Sequence, residues 1–227
     1  MKYIGRGLIA LGLIIMIIPT IGTLWIQYEE QSLYIAYLQE QQLQRQEQQA
    51  VEVEQKEGAE GVGEIDTFEE RLVEKEEEGL LLIHKEEGEV IGKIKIPAIK
   101  LDLLLLEGIT EKSLSKGAGH MTGTAWPGQK GNCTIAGHRN YTFGSRFNRL
   151  GQVKEGDVII LEVGDKAYTY KVTEIKVVIP EDLSPLEQPL TERKVTLITC
   201  HPIYKATHRL IVIGEKTESE ETGHTVR

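Results

Sequence analysis

Cysteine and aromatic residues are scarce in this chain, and cationic residues are outnumbered. Two cysteines, Cys133 and Cys200, stand among 227 residues, so at most one internal disulfide can form and a disulfide-stapled scaffold is excluded. Cys200, His201, His208 and His138 could in principle gather a zinc ion, but their spacing matches no compact zinc pattern. Aromatics make up 6% of the residues, too few for base-stacking platforms. Asp and Glu total 35 against 26 Lys and Arg, a formal net charge of -9, which argues against nucleic acid as a partner because phosphate binding needs clustered cations. What remains, 40% hydrophobic and 27% charged, is enough for one domain with a core plus appendages.

The first appendage is an uncharged run from Leu8 to Ile26, "LIALGLIIMIIPTIGTLWI". At about 1.5 Å per residue it nearly spans the roughly 30 Å hydrocarbon core of a bilayer. Lys2 and Arg6 precede it, Glu29 and Glu30 follow, and Trp25 and Tyr28 fall where an interfacial aromatic belt lies. A cleaved signal peptide would have a shorter apolar region and a small-x-small site, whereas "TLWIQYEEQ" follows. The expectation is a retained single-pass anchor over residues 1–28 in the cell membrane. Its N-terminus lies in the cytoplasm and all that follows is extracytoplasmic.

Residues 29–88 are rich in Glu and Gln and read as a solvated stalk, helical or disordered, in which Leu33/Tyr37 and Tyr34/Leu38 could begin an amphipathic helix but no heptad persists. Residues 216–227 are a polar tail. Between them, over 89–215, strands dominate: "EVIGKIKIPAI", "LDLLLLEG", "CTIAGH", "DVIILEVG", "KAYTYKVTEIKVVIP", "KVTLITC" and "RLIVIGE", with "GDKA" as a hairpin turn. "TEKSLSKG" reads as a short helix between a capping Thr and a terminating Gly, and "FGSRFNRLGQV" as another. "GAGHMTGTAWPGQKGN" reads as a Gly-rich loop. About eight strands with two or three short helices predict a mainly β, closed or nearly closed barrel, with a sandwich as the alternative.

Three segments carry reactive groups. In "GNCTIAGHRN", strand alternation puts Cys133, Ile135 and Gly137 on one face and Thr134, Ala136 and His138 on the other, so Cys133 reads as a small buried residue and His138 as a strand-end group near the surface. In "KVTLITC", Cys200 is the last residue before Pro202 breaks the ladder, and it shares a face with Thr196 and Ile198. In "THRLIVIGE", Arg209 opens the next strand. The "HPIYKA" loop between the last two makes their ends neighbours, so thiol and guanidinium can converge. From these features alone Cys200 could be a nucleophile, a buried strand residue, half of a disulfide or a metal ligand.

"TLITC" resembles the TLxTC signature of the sortases, the membrane-anchored cysteine transpeptidases of Gram-positive bacteria. "GNCTIAGHRN" is similar to the segment with their catalytic histidine, "HRLIVIGE" to the strand with their catalytic arginine, and "GAGHMTGTAWPGQKGN" to their Gly-rich approach to the histidine. The likeness runs from about Ile91 to Glu215 in the family's order. It implies an eight-stranded sortase-type barrel with Cys200 as nucleophile, His138 as general acid/base and Arg209 as stabiliser. Implied partners are secreted proteins with a C-terminal LPxTG-like sorting signal and an accepting amine, such as that of a peptidoglycan precursor. No cofactor and no metal is implied.

The residue types suit that chemistry. A thiolate is a good nucleophile near neutral pH, imidazole can protonate an amine leaving group, and Arg offers fixed positive donors to a developing oxyanion. His120 is a weaker candidate for the base than His138, and Arg139 and Arg193 read as surface charges. The alternative function is a membrane-tethered barrel that binds cell-wall proteins without catalysis. Residues 60–90 lack the Asp-Pro-aromatic lid motif of pilin-polymerising sortases. Glu181, Asp182 and Glu187 read as a solvated acidic loop rather than a calcium site. No long insertion precedes Cys200, which suggests a compact, class D-like member.

Overall fold

A computed structural model describes residues 28–46, 49, 85–139 and 146–217. The run expected to cross the membrane, and the polar tail beyond 217, lie outside the described residues. No helix among the described residues is long and apolar enough to span a bilayer.

Eight strands close into a barrel: β1 (Val90–Ile96), β2 (Leu101–Glu107), β3 (Ala118–His120), β4 (Gly131–Ala136), β5 (Val158–Val163), β6 (Lys166–Val178), β7 (Arg193–His201) and β8 (His208–Lys216). Their order around the wall is β1-β2-β3-β4-β7-β8-β6-β5. β2–β3 and β4–β7 pair in parallel and the remaining neighbours antiparallel.

In β1, alternation sends Ile94 and Ile96 inward and Lys93 and Lys95 outward. The two lysines reach carboxylates on the flanking strands, Lys93 to Asp102 at 3.3 Å and Lys95 to Glu162 at 2.6 Å. Pro97 ends the strand, and Lys100 in the left-handed conformation (φ 51°) turns the chain into β2. The β5–β6 hairpin closes through Gly164 and Asp165, with Val163 opposite Lys166 and Gly164 at φ 61°. The core fills with Ile94, Ile96, Ile135, Phe147, Leu161, Leu197 and their neighbours. Fully burying such a side chain stabilises by about 1.5–3 kcal/mol.

"LDLLLL" in β2 does not alternate, and the structure supplies the reason. Leu101, Leu103 and Leu105 enter the barrel core, while Leu104 and Leu106 face outward into a second apolar cluster with Val90 and Tyr37. That cluster is covered by α1, a helix over 28–46. Tyr37 anchors it: the buried hydroxyl donates to the Ile91 carbonyl at 3.0 Å and accepts from the Gly164 amide at 2.7 Å. Lys93 sits over the Tyr34 ring at 4.3 Å, and Glu40 pairs with Lys85 at 2.6 Å. The start of the segment expected to be a solvated stalk thus forms part of the domain's packing.

A second difference concerns "GAGHMTGTAWPGQKGN". Its first residues form β3, which bridges β2 and β4. Three residues are too short to display an alternating pattern, so the strand is invisible before the barrel is closed around it.

Candidate functional site

The ends of β4, β7 and β8 meet at one rim of the barrel. Parallel pairing sets Ala136 opposite Ile198. Two further bonds carry that register past the end of β4: the Gly137 amide donates to the Ile198 carbonyl at 3.1 Å, and Thr199 Oγ1 donates to the Gly137 carbonyl at 2.6 Å. Continued by two residues, the register stands His138 beside Cys200. On the other side, Cys200 is the direct partner of Arg209 in the antiparallel β7–β8 ladder. Directly paired residues share a face with Cβ atoms about 4.5–5.5 Å apart. His138, Cys200 and Arg209 therefore form one row across three neighbouring strands, on the outer face.

The inner face of the same strands is core. Cys133 points inward beside Ile135, Val195 and Leu197, fully buried. Burial pushes its thiol far above the ordinary cysteine range, and the Glu107 charge adds to this. Both cysteines are free, Cys133 buried and Cys200 half-buried at the rim. The alternation read from the sequence explains why they do not meet.

His138 is 35% exposed, and its Nε2 lies 3.1 Å from a carboxylate oxygen of Glu111. Glu111 opens α2 (Glu111–Leu114), a single turn shorter than the helix expected over 110–117. Arg146 fixes that turn by donating to the Leu114 and Ser115 carbonyls at its C-terminal end. Arg146 begins the 3-10 helix Arg146–Gln152, where the sequence suggested a short helix. Arg209 Nη1 donates to the carbonyls of Ala206 at 3.1 Å and His208 at 3.0 Å, which stiffens the β7–β8 loop beside the thiol.

His120, the weaker candidate for the base, is placed elsewhere. It is buried on β3, level with Ile135 rather than with Cys200. Its Nδ1 lies 2.7 Å from Glu107 Oε2, and its Nε2 faces the Ala125 carbonyl at 3.1 Å. Thr122 Oγ1 donates to the other Glu107 oxygen at 2.7 Å, and Trp126 stacks edge-on with the ring. Thr124 Oγ1 lies 3.2 Å from the same Nε2.

Along the outer face below the row, Asn132 holds down the loop that holds Glu181, Asp182 and Glu187. Its Nδ2 donates to the Pro185 and Glu187 carbonyls at 2.8 and 3.2 Å, and its Oδ1 accepts from Thr196 at 2.8 Å. The Asp182 carboxyl accepts from the Ser184 side chain and, through Oδ1, from its amide, which holds that carboxyl below its usual value.

Comparison with known proteins now decides the family. The family model described as Sortase domain matches residues 94–217, more than half of the chain. The chain belongs to the sortase family. Sortase A of Bacillus anthracis is 35% identical over 127 residues, and sortase D of Bacillus subtilis 29% over 134. These matches cover 56% and 58% of this chain but 60% and 66% of the relatives, so the chain spans somewhat under two thirds of the length of those curated sortases. Among solved structures, sortase A from Corynebacterium diphtheriae matches with TM-score 0.57 and 33% identity, covering 61% of this chain and 65% of that one. The Clostridium perfringens sortase D5 transpeptidase matches with TM-score 0.55 and 32% identity, covering 63% and 88%.

Two neighbours of this sortase's rim are not legible in its sequence. Glu111 reaches His138 from the first residue of α2, the turn whose other end Arg146 holds. Arg139, expected to be a surface charge, is half-buried, and its Nε is buried without a hydrogen-bond partner among the described residues. Nothing in a one-letter "HR" distinguishes a buried guanidinium from a solvated one.

Proposed function

We propose that this sortase is a membrane-anchored cysteine transpeptidase that cleaves an LPxTG-like sorting signal in secreted proteins and joins the new C-terminus to an amine, such as that of a peptidoglycan precursor. The row His138–Cys200–Arg209 carries this reading, since it brings a thiol, an imidazole and a fixed cation to one accessible edge. The Cys200 thiolate attacks the carbonyl carbon of the scissile bond; a C–S bond forms and the C–N bond breaks. The His138 imidazolium gives its proton to the departing amine, and Arg209 donates to the developing oxyanion. The accepting amine then attacks the thioester carbonyl and loses a proton to His138. The new C–N bond forms, the C–S bond breaks, and the thiolate is restored.

Glu111 is compatible with this cycle. It is 82% exposed, so its contact with His138 is worth about 0–1 kcal/mol and yields easily when the ring swings to the leaving amine. The uncharged run 8–26, with Lys2 and Arg6 before it, supports an anchor that puts the N-terminus in the cytoplasm and the barrel on the cell-wall side. A compact, class D-like member fits the 88% coverage of the sortase D5 chain. The related sortase C of Clostridium perfringens is known in a structure with a C-terminal cell wall sorting motif, which supports the substrate class.

The test is transpeptidation. Incubating the protein with an LPxTG-like peptide library and triglycine should yield peptides cleaved within the motif and extended by triglycine, read by mass spectrometry. Binding of the peptides with no cleavage at any pH from 6 to 9 would favour the non-catalytic barrel.

A further inference from the structure

Arg139 is the residue whose placement the catalytic row does not explain. A guanidinium at a loop start normally reaches water, and its five N–H donors cost nothing there. This one turns back towards the end of the barrel. Nη1 donates to His201 Nδ1 at 3.1 Å and approaches the Cys200 carbonyl at 3.5 Å. The contact with His201 agrees with the β4–β7 register continued by three residues. A guanidinium only donates, so His201 Nδ1 is the acceptor in this contact.

Two independent features show a made place rather than a chance contact. The Nε proton is buried with no acceptor among the described residues, a cost that folded proteins seldom tolerate without reason. The guanidinium end also lies against Gly151, so close that a Cβ there would make it shift. A Cβ on Gly151 would stand 2.6 Å from Arg139 Nη2, and its next neighbours, Arg139 Cζ and Leu210 Cδ2, lie at 3.6 and 3.8 Å. Gly151 is not in a left-handed conformation, so an alanine there would act through this contact and not through backbone strain. Burial draws the guanidinium below the ordinary arginine value, and the charge of Cys200 opposes the shift, which places the two within electrostatic reach.

We propose that Arg139 is a positioning residue for the nucleophile, clamping the end of β7 through His201 and the Cys200 carbonyl and setting a second fixed positive charge behind the thiol. His138 and Arg209 flank Cys200 on the outer face; Arg139 holds it from the inner side. The clamp explains how the end of β7 keeps its place on the β4 side, where the strand pairing stops at Ala136 and Ile198. The proposal rests on the transpeptidase reading for its kinetic consequences, but not for its effect on thiol reactivity.

The experiment follows Cys200 alkylation by iodoacetamide against pH, together with kcat and KM for a sorting-signal peptide, in the full chain and three variants. Arg139→Met removes clamp and charge. Alkylation at pH 7 should fall about tenfold and its pH midpoint should move up by about one unit, with kcat down at least about tenfold and KM within about twofold. Arg139→Lys keeps the charge and loses the fork, so alkylation should return to within about threefold of wild type while kcat stays low. Gly151→Ala leaves Arg139 and its charge in place but pushes the Nη2 end aside, so it should show the Arg139→Lys pattern, alkylation within about threefold of wild type and a lowered kcat, with an unchanged melting temperature. If Arg139→Met does not fold, Arg139→Lys and Gly151→Ala decide. Variants with wild-type alkylation profiles and wild-type kcat overturn the clamp. A wild type that alkylates readily yet never turns over sorting peptides retires the transpeptidase reading, and alkylation alone then judges Arg139.

Discussion

Cys200 and Arg209 are direct partners in the β7–β8 ladder, the last residues but one before the loop that joins the two strands. The pair needs no long-range docking. The antiparallel hairpin that brings Arg209 back beside Cys200 is made of contiguous sequence, so whatever folds the hairpin assembles two-thirds of the row. The loop is stiffened by Arg209 itself, through the carbonyls of Ala206 and His208.

Arg209→Ala should therefore lower kcat/KM for a sorting peptide by about 10²–10³-fold, the cost of losing one oxyanion-directed donor. Arg209→Lys should recover little of this, because an ammonium on a flexible stem cannot reproduce the forked donor geometry. Steady-state kinetics with intact-fold controls by circular dichroism check it.

The two thiols should differ sharply. Cys133 is fully buried, with its pKa raised first by burial and then by the Glu107 charge, so it stays a protonated, inaccessible thiol at neutral pH. Titration with a chromogenic disulfide should count one reactive thiol per native chain and two after unfolding in guanidinium. Two reactive thiols in the native protein would contradict the facing assigned to Cys133.

Much of this arrangement was legible in the sequence. Period-two alternation in "CTIAGH" separated Cys133 from His138, and in "KVTLITC" it put Cys200 on one face with Thr196 and Ile198, because a strand's side chains have only two directions to choose from; that Cys200 and His138 share a side came from the family resemblance. What stayed hidden depended on contacts between distant segments. β3 is three residues long and owes its existence to two flanking strands. α1 sits in a Glu- and Gln-rich stretch whose composition reads as solvated. Its trace in the sequence was the pairs Leu33/Tyr37 and Tyr34/Leu38, which could begin an amphipathic helix and of which Leu33, Tyr34 and Tyr37 pack against Leu104 and Leu106. Arg139 and Glu111 gave no local signal, since their roles arise from where α2 and the Arg146–Gln152 turn come to rest.

The docking of α1 should hinge on Tyr37. Tyr37→Phe keeps the ring but leaves the Gly164 amide and the Ile91 carbonyl short of a partner, at a cost of about 1–3 kcal/mol. Burial raises the Tyr37 phenol pKa above its unfolded value. Its contribution is thus fully present below the unfolded phenol pKa of about 10 and is lost as pH rises through the folded value. Hydrogen exchange should show α1 amides less protected in the variant at pH 7, and wild-type protection falling off only in strongly alkaline solution. Equal protection in both proteins at pH 7 would refute the anchor role.

His120 should matter for stability. His120→Ala leaves the buried Glu107 carboxylate with Thr122 as its hydrogen-bond donor, and removing one partner of such a pair costs about 3–5 kcal/mol. Urea unfolding measures this directly. A loss below about 1 kcal/mol would show that the pair is dispensable to the fold.

The central claim is that Cys200 carries the acyl group between cleavage and joining. Intact-mass spectrometry of the protein quenched in acid during turnover of a sorting peptide, with no amine acceptor added, tests it most directly. The account predicts an adduct equal to the N-terminal part of the cleaved peptide, located on Cys200 by fragmentation, removed by triglycine or hydroxylamine, and absent from Cys200→Ala. Cleavage of the peptide by Cys200→Ala, or an adduct on any other residue, would contradict it.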